Sequence, residues 1–393
     1  MIKIPKKLSS MLINPFSQPR CFSQASVKPK NNTDGKMNAW QIHCYTDKNN
    51  PHLSKVRIPI LSKPSEVLIK VDASSINQID IAMTNGYGAQ LFNCMRKVNS
   101  FNIRPHSDIE FPLILGRDFS GTIVSKGHGV DKLQVGDEVW GVIPIQEQGC
   151  HAEYALVDSS LVSLRPKNLS YIEAAAILYA GLTAWSSLWY TGGLAYKSLC
   201  SNYKQKPVLV LGGSGGVGTL AIQLLKAWKI DVVATCSNDA ITLLEKLGAN
   251  IAIDYTEFNA NEKIIAAGPY DIILDCCNQG SNAVKLNGYP HYTYITLNSP
   301  LLKNYDKHGL VFGTVKSIAD LLQDNIPTST DINFVKWGYF IPSPTGINVI
   351  QNLIENKQIT PVIQEVFHFN ELPTAYNKMR EGHLRGKIII DMR

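Results

Sequence analysis

The stretch "VLVLGGSGGVGTLAIQLLKAW", Val208 to Trp228, decides the fold. An apolar run of strand length leads into five glycines, Gly212, Gly213, Gly215, Gly216 and Gly218, and then into an apolar pattern of helical period. Gly213, Gly215 and Gly218 fit the spacing G-x-G-x-x-G. Glycines there remove the Cβ atoms that would keep an anion away from the main chain. The helix N-terminus adds N–H groups and the positive end of its dipole. A strand before, a helix after and a second strand from Asp231 supply the context in which this spacing reads as a pyrophosphate site. A tight strand–helix turn with no ligand is the competing reading.

Outward from this loop, strands and helices alternate: Val208–Leu211, Gly216–Trp228, Asp231–Thr235, Asp239–Leu247, Ile251–Ile253, Asp271–Asp275 and Tyr292–Thr296. That order predicts an α/β fold, a doubly wound parallel sheet covered by helices. Upstream, "SYIEAAAILYAGLTAWSSLW" (Ser170–Trp189) predicts a helix with Ser170 and Glu173 as its capping box. From Met37 to about Arg165 the chain reads as a small, partly closed β-domain. "EVLIKVDAS" and "SGTIVSKG" alternate, and "VGDEVWGVIP" reads as two short strands around a turn. Tyr87 to Glu110 shows no clear period and reads as a long loop. The closing stretch "PVIQEVFHFNELPTAYNKMREGHLRGKIIIDM" reads strand, helix, strand; it either completes the parallel sheet or returns to the β-domain.

Composition narrows the function classes. The 393 residues are 45% hydrophobic and 18% charged, as in an ordinary globular protein. No apolar run reaches the ~18–20 residues a membrane helix needs. The net charge of +6 sits entirely in residues 1–36, where seven cations face the single acid Asp34. The remaining chain is formally neutral, without the basic body that nucleic acid would require. The first 33 residues hold no acid, several serines and spaced cations, the composition of a mitochondrial transit peptide, with "RCFSQ" (Arg20–Gln24) as its cleavage site. A disordered basic tail is the alternative. Eight cysteines with no C-x-x-C pair support neither a disulfide framework nor a structural zinc site, and free thiols suit a reducing matrix.

The second strand of the α/β part ends "ATCSND". Cys236, Ser237 and Asn238 place no acid at its tip, where a carboxylate would grip the ribose 2′-hydroxyl of NAD. Asp239 reads as a helix cap. A 2′-phosphate is then accepted, with Ser237 as a hydrogen-bonding partner, and NADPH is the expected cofactor.

The pieces "LGRDFSGTIVSKG", "VGDEVWG", "GCHAEY", "AGLTAWSSL", "GGSGGVGTLAIQL" and "KLGANIAIDY" stand in an order that resembles the medium-chain dehydrogenases/reductases of the zinc-independent quinone oxidoreductase type. The likeness covers nearly the whole chain after Met37. "FPLILGRD", "CSND", "DYTE", "DIILD" and "HLRGK" look closer still to a mitochondrial branch of that family with a protein partner of the reticulon type. The resemblance implies a GroES-like catalytic domain over residues 37–165, a Rossmann domain over 166–344, and a C-terminal segment, 345–393, that returns to the first domain. Residues 1–36 are the leader. It also implies a homodimer and an active site in the cleft between the domains.

Zinc-using relatives hold a catalytic metal with cysteine, histidine and cysteine. The matching positions here are Asn77, Arg117 and about Ala180, and a guanidinium cannot ligate zinc. Cys150–His151 reads as a surface strand pair. No zinc is expected. Without a Lewis acid nothing lowers the pKa of an alcohol, whereas hydride delivery to a quinone or an α,β-unsaturated carbonyl remains feasible. By resemblance Asn77 and Asp80 line the cleft, and Tyr87 is the proton donor or oxygen anchor. Asn77 and Asp80 also read simply as a turn and a helix cap. Ser214, Gly215, Gly216 and Val217 are expected at the pyrophosphate, Ser237 and Tyr255 at the 2′-phosphate, and Leu297, Tyr339 and Phe340 beside the nicotinamide. Arg385, with His383, is expected to reach back to the phosphates. An NADPH-dependent quinone or enone oxidoreductase is the leading function. An enoyl-thioester reductase and a cofactor-binding assembly protein with little turnover are the alternatives.

Overall fold

The computed structural model describes residues 35–45, 51–99, 110–197, 205–326 and 333–393. The acid-free leader and its cleavage-like segment lie outside the described residues. One sheet has six parallel strands in the spatial order Ile251–Asp254, Val232–Cys236, Val208–Leu211, Tyr270–Asp275, His291–Thr296, Phe334–Trp337. Counted along the chain this order is 3-2-1-4-5-6, the doubly wound arrangement. The winding reverses between Val208–Leu211 and Tyr270–Asp275. The carboxyl ends of those two strands therefore flank the crevice in which an open α/β sheet takes its ligand. Both strands, and Val232–Cys236 beside them, are buried throughout. Helices cover both faces, which is why the sequence shows apolar runs here and no alternation.

The second sheet has seven strands centred on Glu66–Ile76. Asp118–Lys126 lies on one side of that strand. Tyr154–Asp158 and the C-terminal strand Lys387–Asp391 share the other. Ile363–His368 pairs outside Lys387–Asp391, so the closing strand–helix–strand joins the β-domain. The helix before it, Pro344–Glu355, packs on helix Leu178–Ser186. Its Ile347, Ile350 and Ile354 are buried in the same core as Leu182 and Leu220, and Gly346 packs directly under Trp185.

Four local expectations need correction. "VGDEVWGVIP" forms one strand, Glu138–Val142, because its turn, with Gly136 at φ +96°, comes before the apolar residues. Ser170–Trp189 starts as expected, with the Ser170 hydroxyl accepting the Glu173 N–H at 3.2 Å, but it breaks into Tyr171–Ala175, Leu178–Ser186 and a wider turn over Ser187–Thr191. The stretch after Tyr87 contains a helix, Ala89–Asn99. Its buried side carries Arg96 beside Phe92, so a cation interrupts the apolar period; the Arg96 guanidinium donates to the Gln146 carbonyl at 2.7 Å and pairs with Glu110 at 3.4 Å. Cys150 and His151 are fully buried rather than superficial. The Cys150 thiol donates to the Asp118 carbonyl, and the His151 ring lies between the Tyr376 hydroxyl and the Ser75 carbonyl.

A long helical segment, Leu301–Asp324, kinks at Gly309 (φ 73°). Gly313 and Ser317 face inward, whereas Val311, Val315, Ile318 and Leu322 face solvent. Just beyond it, the Asn325 side chain accepts the Val335 N–H at 2.9 Å and donates to the Val335 carbonyl at 3.0 Å. It thereby occupies hydrogen-bonding groups on the edge strand of the parallel sheet.

Candidate active site

The three motif glycines do three different jobs. A Cβ on Gly213 would sit 3.0 Å from the Ala234 and Leu244 side chains, so this residue lets the turn lie flat on the second strand. A Cβ on Gly218 would lie 2.4 Å from the Gly212 carbonyl oxygen, so this one lets the helix close onto the strand. A Cβ on Gly215 would meet only the Gly212 oxygen, at 3.7 Å, and would otherwise project into open space. The first and third positions are crowded by the protein and the second is left for a ligand, as a pyrophosphate cradle requires. Gly215 caps helix Gly216–Ala227, whose first-turn N–H groups have no intrahelical partners. The loop residues Ser214 and Gly213 are buried, and Gly215, Gly216 and Val217 are half-buried. These residues fit the diphosphate of a dinucleotide.

The C-terminal segment closes the loop from the other domain. Gly386 donates its N–H to the Ser214 carbonyl at 2.9 Å and bridges Gly215. A Cβ on Gly386, at φ +79°, would fall 2.0 Å from the Val362 carbonyl oxygen. This anchorage brings Arg385 over the end of the second strand. Its guanidinium donates to the Ser237 hydroxyl at 2.6 Å and reaches the Ser214 hydroxyl at 3.5 Å. Tyr255 donates its N–H to the Cys236 carbonyl and leaves its side chain exposed beside the same strand end. His383 is exposed, at φ 53°, and it is its backbone carbonyl that accepts from Arg385, at 3.3 Å. Asp239 is not a helix cap. Ser237 occupies the N-cap position of the short turn, and the Asp239 carboxylate pairs with Arg385.

A group of aromatic side chains gathers around Tyr339 and Phe340. Tyr179 stacks on Phe340 with centroids 4.2 Å apart and planes 24° apart. The Tyr339 hydroxyl donates to Ser299 at 2.8 Å, and the Tyr339 carbonyl accepts from Ser186 at 2.5 Å. Leu297 packs at the Gly338 turn just before them. Tyr87 stands half-buried between helices Gln78–Thr84 and Ala89–Asn99. Its loop is held by Asp306, which accepts the N–H groups of Gly88 at 2.6 Å and Gln90 at 3.1 Å. An open pocket of about 570 Å³ is lined there by Tyr87, Gly86, Asp306 and Lys303. Burial, and then the nearby Asp306 carboxylate, raise the Tyr87 pKa, so its hydroxyl keeps its proton at neutral pH. Burial likewise pushes Tyr339 up to about 12.

Asn77 and Asp80 sit behind this surface. Asp80 is fully buried, and its two oxygens accept the N–H groups of Asn77 and Gly116, both at 2.8 Å. It holds the Asn77 turn as one half of a capping box. The Asn77 amide donates to Asp118 at 3.0 Å and accepts from Lys387. Lys387 was not legible as a site residue. Its ammonium, 6% exposed, lies 3.9 Å from Asp118, and its stem packs 3.0 Å from where a Gly216 Cβ would stand. Burial lowers its pKa, opposed by Asp118 and then Asp80. A buried cation thus connects the Asn77 turn to the glycine loop.

At the three positions that the family resemblance matches to a catalytic zinc stand the Asn77 amide, the buried Arg117 guanidinium, which lies 3.8 Å from Asp80, and about Ala180. This set offers a dication no anionic ligand and places a fixed positive charge beside it, so it does not fit zinc. Among the described residues no group of three or more histidine, cysteine, aspartate or glutamate side chains converges.

These features define a two-domain protein, a GroES-like β-domain beside a Rossmann-like parallel sheet. Residues 63–167 match the alcohol dehydrogenase GroES-like domain, and residues 247–390 match the family described as zinc-binding dehydrogenase. The chain belongs to the medium-chain dehydrogenase/reductase superfamily, on its mitochondrial NAD(P)H oxidoreductase branch. The NAD(P)H oxidoreductase RTN4IP1, mitochondrial, of Drosophila melanogaster is 46% identical over 94% of this chain and 90% of its own length. The 2-methylene-furan-3-one reductase of Solanum lycopersicum is 34% identical over 72% of each chain. The solved quinone oxidoreductase of Coxiella burnetii superposes with a TM-score of 0.69 at 25% identity, covering 91% of this chain and all of that one.

Proposed function

We propose that the chain is a mitochondrial matrix oxidoreductase that takes hydride from NADPH and delivers it to a quinone or an α,β-unsaturated carbonyl. The observation that carries this reading is Arg385. A guanidinium anchored over Ser237 at the end of the second strand gives a 2′-phosphate a charged partner exactly where NAD-selecting folds use an acid alone. Bound NADPH would supply the hydride. The chain's own residues orient, shield and protonate. First-turn N–H groups from Gly216 and Val217 hold the diphosphate. The Tyr179–Phe340 wall offers a flat face to a conjugated acceptor. Tyr87 donates a hydrogen bond to the acceptor oxygen and can pass its proton there. The relatives support both acceptor classes, one named for a quinone and one for an enone.

Two acceptors separate the roles of Tyr87. Tyr87→Phe is expected to lower kcat for an enone by roughly 10²-fold, the usual worth of a positioned proton donor. Its effect on a quinone, whose reduced oxygens take protons from solvent, should stay within about threefold. The test of the function is NADPH oxidation by the mature protein with a water-soluble quinone, an enone and an enoyl-thioester. Turnover with either of the first two supports the reading; turnover with the thioester alone replaces it by the reductase alternative. One observation favours a second reading, an assembly protein that binds cofactor without turnover: the outward apolar stripe Val311, Val315, Ile318 and Leu322. That reading predicts tight NADPH binding and no oxidation with any of the three.

A further inference from the structure

Asp239, an acid near the end of the second strand, is held by a cation. Arg385 Nη2 lies 2.8 Å from Asp239 Oδ1 and 2.9 Å from Oδ2, and Nε lies 3.2 Å from Oδ2. The Ser237 hydroxyl donates to Asp239 Oδ1 at 2.6 Å, so serine, aspartate and arginine form one closed set. The two charged partners are 146 residues apart and belong to different domains. Asp239 follows the second strand of the nucleotide sheet. Arg385 precedes Lys387–Asp391 of the other sheet, with its N–H donated to Gln364 at 2.8 Å. Asp239 is 68% exposed and Arg385 25%, so solvent and solutes reach the pair.

We propose that Asp239 is a specificity-determining counter-ion, which holds the Arg385 guanidinium in place until a 2′-phosphate takes it over. The inference rests on the NADPH reading above and adds a competing anion to it. A guanidinium can serve a carboxylate or a phosphate with the same planar pair of N–H groups, but not both in full. A 2′-phosphate brings nearly two negative charges and displaces the single one of Asp239. The displaced carboxylate stays close by and opposes the phosphate. A cofactor with a bare 2′-hydroxyl leaves the ion pair undisturbed. Asp239 therefore limits the preference for NADPH, and Arg385 creates it.

The two variants move the preference in opposite directions. Asp239→Asn keeps the side-chain shape, removes one negative charge and is expected to tighten NADPH by about 3- to 10-fold, on the scale of one charge pair at the water-exposed surface. Its effect on NADH should stay within about twofold. Arg385→Gln is expected to weaken NADPH by at least about 10-fold and to leave NADH within about threefold. The experiment is calorimetric titration of full-length wild type, Asp239→Asn and Arg385→Gln with NADPH, NADH, 2′,5′-ADP and 5′-AMP, with circular dichroism to check folding. The adenosine phosphates read the 2′-phosphate without the nicotinamide end. A selective gain for NADPH and 2′,5′-ADP in Asp239→Asn supports the counter-ion role. Unchanged or weaker binding of those two ligands overturns it while leaving the NADPH reading in place. Wild type that binds neither dinucleotide overturns both.

Discussion

Gly215→Val is expected to abolish NADPH binding while leaving the fold intact. The backbone at this position has φ −77° and ψ 175°, an extended conformation open to any residue. Its Cβ direction meets no protein atom closer than 3.7 Å. The isopropyl group would therefore cost the apo protein little and would stand in the space left for the diphosphate. A loss of at least about 100-fold in affinity is expected, with a change in Tm of no more than about 2 °C. Gly218→Ala is the contrast. Its Cβ would sit 2.4 Å from a backbone oxygen, so both the melting temperature and the affinity should fall. Thermal melting and NADPH titration of the two variants separate a cradle from a mere turn. Wild-type affinity in Gly215→Val would put the dinucleotide somewhere else.

Lys387→Met should have the largest effect on stability. The ammonium is buried among the Asn77 side chain, the Ile76 carbonyl at 3.3 Å and the Asp118 carboxylate. Asp118 is itself fully buried and accepts from Ser75, Asn77 and the Tyr179 N–H. Removing the lysine leaves that carboxylate without its nearby cation, a change that costs about 3–5 kcal/mol in comparable sites. Methionine fills much of the stem volume, so little of the loss is cavity. Denaturant unfolding of Lys387→Met against wild type measures it. The double variant Asp118→Asn/Lys387→Met removes both charges and should recover part of the loss, because an apolar or neutral pair is cheaper than one buried charge. A Lys387→Met protein as stable as wild type would mean that the ammonium contributes no net stabilisation there.

The parallel sheet was legible because its signals are local. Each buried strand is a short apolar run, each is followed by a helical pattern, and the glycine loop marks the first crossover. Ser170 with Glu173 was legible for the same reason, since a capping box spans four residues. What could not be read depends on partners far apart in the chain. Asp239 looked like a helix cap because its partner, Arg385, lies in another domain. Lys387, in "HLRGK", carries no local signal of its role, since only the pairing of Lys387–Asp391 with Glu66–Ile76 buries it beside Asp118. Cys150 and His151 looked superficial because nothing nearby in sequence announces Tyr376 and Ser75. Helix Ala89–Asn99 was hidden because Arg96 occupies a buried position that the apolar pattern would assign to a hydrophobic residue.

The glycine loop was thus legible at the main chain, and the side chains around it less so. Ser214, Ser237 and Arg385 converge as a group. Asn77 and Asp80 form the capping box of helix Gln78–Thr84, and Tyr87 lines the pocket with Asp306 and Lys303.

Side-by-side calorimetric titration of the wild-type protein with NADPH and NADH is the most direct measurement. One site per chain, with NADPH bound at least about 10-fold tighter than NADH and with the difference shrinking as salt is raised, is the predicted result. Equal binding of the two, or tighter binding of NADH, would contradict the assignment of the second-strand crevice to a 2′-phosphate.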